Sequence, residues 1–336
     1  MRKDIKFPSE LRMDLVSQDW VIVATNRAKK PNDFKKLKKT KKCLFCDIKK
    51  QNIPVLVMAE GETNPRYKKI PKNWTVAVVP NRYPALIPFF KLEEREEGGL
   101  YKKMNAVGFH EVVITRDHKK QLADLTVNRI KEVIDCYQLR YLDMKDKKFV
   151  NHISIFHNHG PLSGASIAHP HSQIITTFLL DVDLKNALSK AKKYYEEKKR
   201  CLYCDMKNHE LKVKKRIIFE NKNFVTLCPF ASKTSFQVTI TPKKHLSYFE
   251  NITEQEKRDL AESFKKVLSK IKKGLNNPSY NFYLHTAPAD NKNHGYYHWH
   301  FTILPKLDNW AGFEIGTKLE IITVEPEQAA EYLRKI

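Results

Sequence analysis

The chain has 336 residues, a hydrophobic content of 41% and a formal net charge of +23. That length is enough for two domains of ordinary size with real cores. No run of about 20 apolar residues occurs, which excludes a membrane-spanning helix.

The opening, Met1-Arg-Lys-Asp-Ile-Lys6, leads into a polar segment without an apolar signal core, so a cytoplasmic location is expected. The charge invites a nucleic-acid partner. Much of it lies in runs such as Lys35-Lys36-Leu37-Lys38-Lys39 and Lys198-Lys199-Arg200, which read more simply as solvated surface. The balance suits an anionic substrate without identifying one, and nucleic acid is not the expected partner.

In chain order, the first signal is Cys43-Leu-Phe-Cys46-Asp47. A β-like run follows from Trp74 to Pro80, and another from His110 to His118. Leu125 to Tyr141 reads as a helix opening at Thr126, with Ile130, Val133, Ile134 and Tyr137 at helical spacing. Asn151 to Phe156 and Ser172 to Phe178 read as strands. Leu180 to Arg200, rich in Lys and Glu, reads as a linker helix.

The pattern then repeats. Cys201-Leu-Tyr-Cys204-Asp205 answers the first cysteine pair, Phe224 to Pro229 the first run, and Phe236 to His245 the second, again ending in histidine. Thr253-Glu-Gln-Glu256 is a capping-box pattern opening a helix through Leu260, Phe264, Val267, Leu268 and Ile271. Asn281 to His285 and His298 to Leu304 close the second half, and Pro326 opens a short terminal helix. The fold class expected is α+β: two tandem domains, residues 1–179 and 180–336, each an antiparallel sheet with one long helix.

Each half ends in His-x-His: His169-Pro-His171 and His298-Trp-His300. Zinc favours four Cys or His ligands in a tetrahedron. The first half offers Cys43, Cys46, His118 and His169; the second offers Cys201, Cys204, His245 and His298, with His285 and His300 as nearest substitutes. Two zinc ions per chain are therefore expected. A redox Cys-x-x-Cys needs a helix N-terminus and an accessible thiolate. Leu-Phe and Leu-Tyr between the cysteines suit a tight, buried structural turn instead.

With His169 on a metal, His171 is free to face a substrate. On a strand, His169, His171 and Gln173 share one face. A histidine there can attack phosphorus while Gln173 donates hydrogen bonds to the developing charge. Gly164-Ala-Ser166 precedes the first His-x-His, whereas Gly295-Tyr-Tyr297 precedes the second and Thr302 stands at the place of Gln173. Tyrosines would crowd a phosphate, so the first half reads as catalytic and the second as a degenerate support.

With these residues assembled, the chain resembles the galactose-1-phosphate uridylyltransferases, the duplicated branch of the histidine-triad superfamily. The resemblance rests on the segment from Arg12 to Pro31, on Val79-Pro-Asn-Arg-Tyr-Pro-Ala-Leu86, and on Phe156-His-Asn-His-Gly160 followed by Ser166 and His169-Pro-His-Ser-Gln173. It implies that His171 attacks the α-phosphorus of a nucleotide sugar, that a nucleotidyl-histidine forms, and that a second hexose 1-phosphate reverses the step. It implies that Gln173, Ser166 and Asn158 hydrogen-bond the phosphates and that Asn81 contacts the ribose. Arg27 and Lys30 match basic positions that meet the hexose 1-phosphate across a homodimer interface, and Gly160 and Phe313 complete the substrate-binding set. Phe45 and Asn81-Arg82-Tyr83 are the expected walls of the base pocket.

Arg82 stands where well-studied bacterial members carry Asp, and the tail from Ala311 to Thr317 resembles a subgroup that includes plant ADP-glucose phosphorylase-like proteins. Uridylyl transfer between hexose 1-phosphates is the leading expectation. An ADP-glucose or dinucleotide phosphorylase using the same histidine is the second. A zinc-stabilised nucleic-acid-binding protein is the third.

Overall fold

The structure, a computed structural model, describes residues 9–16, 19–24, 27, 43–60, 62–64, 70–308 and 310–336. Its strands are β1 (Glu10–Met13), β2 (Trp20–Val23), β3 (Leu56–Ala59), β4 (Glu62–Asn64), β5 (Trp74–Pro80), β6 (Glu94–Glu97), β7 (Tyr101–Asn105), β8 (His110–Thr115), β9 (His152–His159) and β10 (His171–Thr177). The second half adds β11 (Ile217–Glu220), β12 (Phe224–Leu227), β13 (Val238–Pro242), β14 (Tyr280–His285) and β15 (His300–Pro305). The helices are α1 (Val127–Met144), α2 (Val182–Lys198), α3 (Leu202–Val213), α4 (Glu254–Gly274), α5 (Gly312–Thr317) and α6 (Pro326–Lys335).

Eleven strands form one antiparallel sheet of order β11-β12-β13-β15-β14-β9-β10-β8-β5-β3-β4. Outward from the β14–β9 seam the order is β15, β13, β12, β11 on one side and β10, β8, β5, β3 on the other. The internal repeat has thus become a pseudo-twofold across the seam, where Asn281 faces Asn158 and Tyr283 faces Phe156. The two expected sheets are joined edge to edge, so each half hides an exposed strand edge in the other. A separate sheet, β2-β1-β7-β6, flanks the first half.

One face of the large sheet carries α1 and α4. Val133, Ile134, Tyr137 and Tyr141 of α1 join Leu260, Phe264, Val267 and Leu268 of α4 in a single core with Ile155, Ile174, Phe282 and Phe301 of the strands. Burying each such side chain contributes roughly 1.5–3 kcal/mol. The helix starts are those the caps dictate. Thr126 accepts from the Arg129 N–H, and Thr253 and Glu256 make both bonds of the capping box.

β10 shows how the sheet divides its faces. Ser172 points to the helices, where it meets the Tyr137 hydroxyl at 2.6 Å. The alternate positions His171 and Gln173 therefore point to the other face. His169 does not belong to this strand. It sits in the turn before β10, and His298 likewise precedes β15. Pro170 has no N–H to give a ladder, so pairing begins one residue later, and the three-residue alignment on one strand face reduces to His171 and Gln173.

The second cysteine pair also differs from its expected turn. Cys201 is the N-cap of α3 and Cys204 lies in its first turn. Asp205 to Val213 are residues a helix tolerates, whereas Pro54 soon follows Cys46 and the chain there makes only a single 3₁₀ turn, Ile48–Lys50.

A bidentate ion pair ties α1 to β8. Arg140 donates from Nε and Nη2 to the two Glu111 oxygens at 2.8 and 2.7 Å, and both side chains are under 10% exposed. Removing one member leaves a buried charge alone. Arg140→Met is expected to destabilise the fold by about 3–5 kcal/mol, read as an earlier urea midpoint. The double change with Glu111→Gln should recover part of that loss.

Candidate active site

His171 opens β10 and is 8% exposed. Its Nδ1 lies 2.8 Å from the His169 carbonyl. A carbonyl only accepts, so Nδ1 carries the proton and Nε2 keeps the lone pair. The Phe45 ring stands edge-on to this imidazole, centroids 5.0 Å apart, and forms an apolar wall with Val57, Ala77, Val79 and Ile114.

Gln173 is held from behind by His110, a residue sequence reasoning took only as a strand start. The Ala85 N–H donates to His110 Nδ1 at 3.0 Å, and a backbone donor cannot be reassigned. The His110 proton is therefore on Nε2, which donates to Gln173 Oε1 at 3.0 Å. With its oxygen engaged, Gln173 offers its NH2 group as the donor to the cleft. Asn81 Oδ1 accepts from the Tyr83 N–H at 2.8 Å. Its amide nitrogen, 2.9 Å from His110 Nε2, then faces another donor, and an incoming acceptor would relieve it. Arg27 donates to the Tyr83 carbonyl at 2.8 Å and lies 3.4 Å from His110 Nδ1. Burial lowers its pKa. Arg82 is exposed.

The end of β9 and the loop to β10 bring in further groups. Ser166 is 9% exposed and its Oγ is buried without a hydrogen-bond partner among the described residues. Asn158 Oδ1 accepts from Asn281 Nδ2 at 2.8 Å, and the same nitrogen reaches the Ser163 carbonyl at 2.9 Å. A residue of the second half thus orients a residue of the first. Gly160 has φ 78°, and a Cβ there would stand 2.3 Å from Ser279 Oγ, so both conformation and space require glycine. Phe313 lies on α5 in the second half, 53% exposed. Lys30 lies outside the described residues.

Both sets of Cys and His donors converge, the ligand atoms of each within 4.8 Å of one another. In the first, Cys46 Sγ is 3.3 Å from His118 Nδ1 and 3.6 Å from His169 Nδ1, Cys43 Sγ is 3.7 Å from His169 Nδ1, and the two nitrogens are 3.2 Å apart. A tetrahedral ion at about 2.3 Å from sulfur and about 2.0 Å from nitrogen needs S···N near ~3.5 Å and N···N near ~3.3 Å, so the donors fit one. His169 Nε2 donates to the Thr115 carbonyl at 2.6 Å, which fixes the tautomer with Nδ1 free to ligate. Burial and the neighbouring Cys43 push the Cys46 thiol up to about 11, a proton that metal binding would displace.

In the second set, Cys204 Sγ is 3.3 Å from His245 Nδ1 and 3.4 Å from His298 Nδ1. His245 and His298 donate from Nε2 to the carbonyls of Gly295 and Pro242 at 2.7 and 3.0 Å. A hydrogen bond from Cys204 holds the Cys201 thiol far below its usual range, against the cost of burial. His285 and His300 stay outside this set and stack on each other, centroids 4.6 Å apart.

Known proteins share this architecture. Residues 2–180 match the N-terminal domain of galactose-1-phosphate uridyl transferase and residues 187–336 match its C-terminal domain. The chain belongs to the galactose-1-phosphate uridylyltransferase family and is an enzyme of that family. It is 34% identical to an ADP-glucose phosphorylase of Arabidopsis thaliana over 334 residues, covering 97% of this chain and 93% of the relative. It is 28% identical to a galactose-1-phosphate uridylyltransferase of Thermotoga maritima, covering 97% and 98%. A uridylyltransferase structure superimposes with a TM-score of 0.80 at 27% identity, covering 97% of both chains. The Arabidopsis thaliana ADP-glucose phosphorylase with bound ADP-glucose does so with a TM-score of 0.75 at 32% identity, covering 98% and 99%.

His110→Phe keeps a flat ring but removes the donor to Gln173. It is expected to lower kcat by about 10–100-fold with KM little changed, because one aimed donor is lost where charge develops. His110→Gln, which can still donate, should restore much of the rate. Equal losses in both variants would reduce His110 to a packing role.

Proposed function

We propose that the chain transfers a nucleotidyl group from a nucleotide sugar to a hexose 1-phosphate by ping-pong catalysis through His171, as a uridylyltransferase of galactose metabolism. The observation carrying this is the His171 Nδ1 bond to the His169 carbonyl, which leaves Nε2 as a lone-pair nucleophile. Nε2 attacks the α-phosphorus. The bond from that phosphorus to the bridging oxygen breaks, and hexose 1-phosphate leaves with the electron pair. The His169 carbonyl stabilises the cationic ring, while Gln173, Ser166 and the Asn158 amide donate to the phosphate oxygens. A phosphate oxygen of the second hexose 1-phosphate then attacks the same phosphorus and frees the histidine. Arg27, Lys30, Asn81, Gly160 and Phe313 would bind the two substrates.

A second reading, an ADP-glucose phosphorylase in which phosphate accepts the nucleotide, draws support from the 34% identity to the plant enzyme. Incubation with UDP-glucose followed by rapid quench should add one nucleotide to His171, and His171→Ala should abolish turnover without unfolding the protein. With galactose 1-phosphate as acceptor, kcat/KM for UDP-glucose should exceed that for ADP-glucose. The reverse order would favour the phosphorylase.

The Cys43, Cys46, His118, His169 and Cys201, Cys204, His245, His298 sets each suit a zinc ion, two per chain. Four protein ligands close the coordination sphere, so bound zinc would supply structural rigidity rather than Lewis acidity. Metal analysis of active protein should give two equivalents, and chelation should lower thermal stability before it alters the intact active fraction.

We divide the chain into a catalytic half, residues 1–179, and a supporting half, residues 180–336. A homodimer is proposed to cover the apolar stretch Trp310, Phe313, Ile315, Leu319 and Ile321, whose side chains are 43–69% exposed. Light scattering should report twice the 39.4 kDa chain mass. A cytoplasmic location fits four thiol ligands that must stay reduced.

A further inference from the structure

The second half keeps a cleft at the place of the first. His300 opens β15 as His171 opens β10, and its Nδ1 lies 3.2 Å from the His298 carbonyl. The ring nitrogen left over is again Nε2. Tyr203 stands between its two cysteines as Phe45 does, its ring 5.6 Å from that of His300. In the first half Ile48, Trp74 and Ile167 pack on Val79 and Val112 beside the cleft. In the second, the corresponding strand positions Leu227, Thr239 and Thr302 line a cavity of about 1550 Å³.

Four basic side chains, Lys215 among them, are balanced by four acidic ones, Asp181 and Asp183 among them, in the lining. Arg216 is committed to Glu210 and Glu327, Lys207 to the Lys243 carbonyl, and Lys233 lies 3.7 Å from Glu320. Thr302 replaces Gln173. Tyr297, 1% exposed and edge-on to Tyr203 at 5.1 Å, also lines the cavity. Among these charges lies aromatic surface from Tyr203 and the stacked pair His285–His300, with the hydroxyls of Thr239, Thr241 and Thr302 in the same lining. That combination suits a flat heteroaromatic ring bearing hydroxyls.

We propose that this cavity binds an uncharged nucleoside, without chemistry, as a second ligand site beside the catalytic one. The choice of ligand class rests on reading the first cleft as a nucleotide site, and the test separates the two.

Equilibrium dialysis of labelled uridine and of labelled adenosine should give two saturable sites per chain for the native protein. Thr239→Trp, which fills the cavity, should give one, with nucleotidyl transfer unchanged. Should that variant fail to fold, Thr302→Val should weaken only the second site, by about 5–10-fold for a lost hydrogen bond. A single site in the native protein, or a second site indifferent to both substitutions, overturns the proposal. Nucleotide labelling of His171 by UDP-glucose or ADP-glucose tests the first cleft by itself. Labelling with one dialysis site sinks the second site alone, and two dialysis sites without labelling sink the catalytic reading alone.

Discussion

The first half is organised around one residue, His169. Its Nε2 donates to the Thr115 carbonyl at the end of β8, its Nδ1 lies with Cys43, Cys46 and His118 in the donor cluster, and its own carbonyl faces His171 Nδ1. Each contact uses a different atom and none can be exchanged for another. The turn before β10 is thereby fixed from three sides. The tautomer of His171, and hence which nitrogen keeps its lone pair, follows from that fixation. A metal in the cluster would act at one remove, by holding the backbone that sets the proton on the neighbouring imidazole.

The same logic extends outward through neutral hydrogen bonds. Ala85 decides the proton on His110, His110 decides which end of Gln173 faces the cleft, and Tyr83 decides the amide of Asn81. Across the seam, Asn281 sets Asn158. None of these links is a salt bridge, so their orientation should be insensitive to ionic strength. Donors fixed before the ligand arrives need not reorganise as charge develops.

Duplication explains why the two halves can differ so much without loss of the fold. The helix-bearing face is one continuous core through both halves, and its packing constrains them alike. The opposite face is built separately in each half by the segment around the cysteine pair. There a 3₁₀ turn packs Ile48 on the sheet in the first half, while α3 lines a cavity in the second. The cores of the halves are therefore held to one another, and their clefts are not.

Several features were legible in the sequence because they depend on residues close together in the chain. The two donor sets follow from Cys-x-x-Cys and His-x-His, the helix starts at Thr126 and Thr253 from local capping, and the strands of each half from runs that repeat in the same order. Other features depend on register between distant strands, which no local pattern encodes. The joining of two sheets at β14 and β9 is one. The small sheet of β1, β2, β6 and β7 is another, because its strands are short, half exposed and separated by some 70 residues of chain. His110 and Asn281 gained meaning only when the sheet brought them beside Gln173 and Asn158. The sequence by itself determined which side chains could ligate, cap and alternate, since those are properties of spacing. Only the tertiary structure decided which proton sits on which ring and what lines each cleft, since those depend on the partner that folding brings to each polar atom.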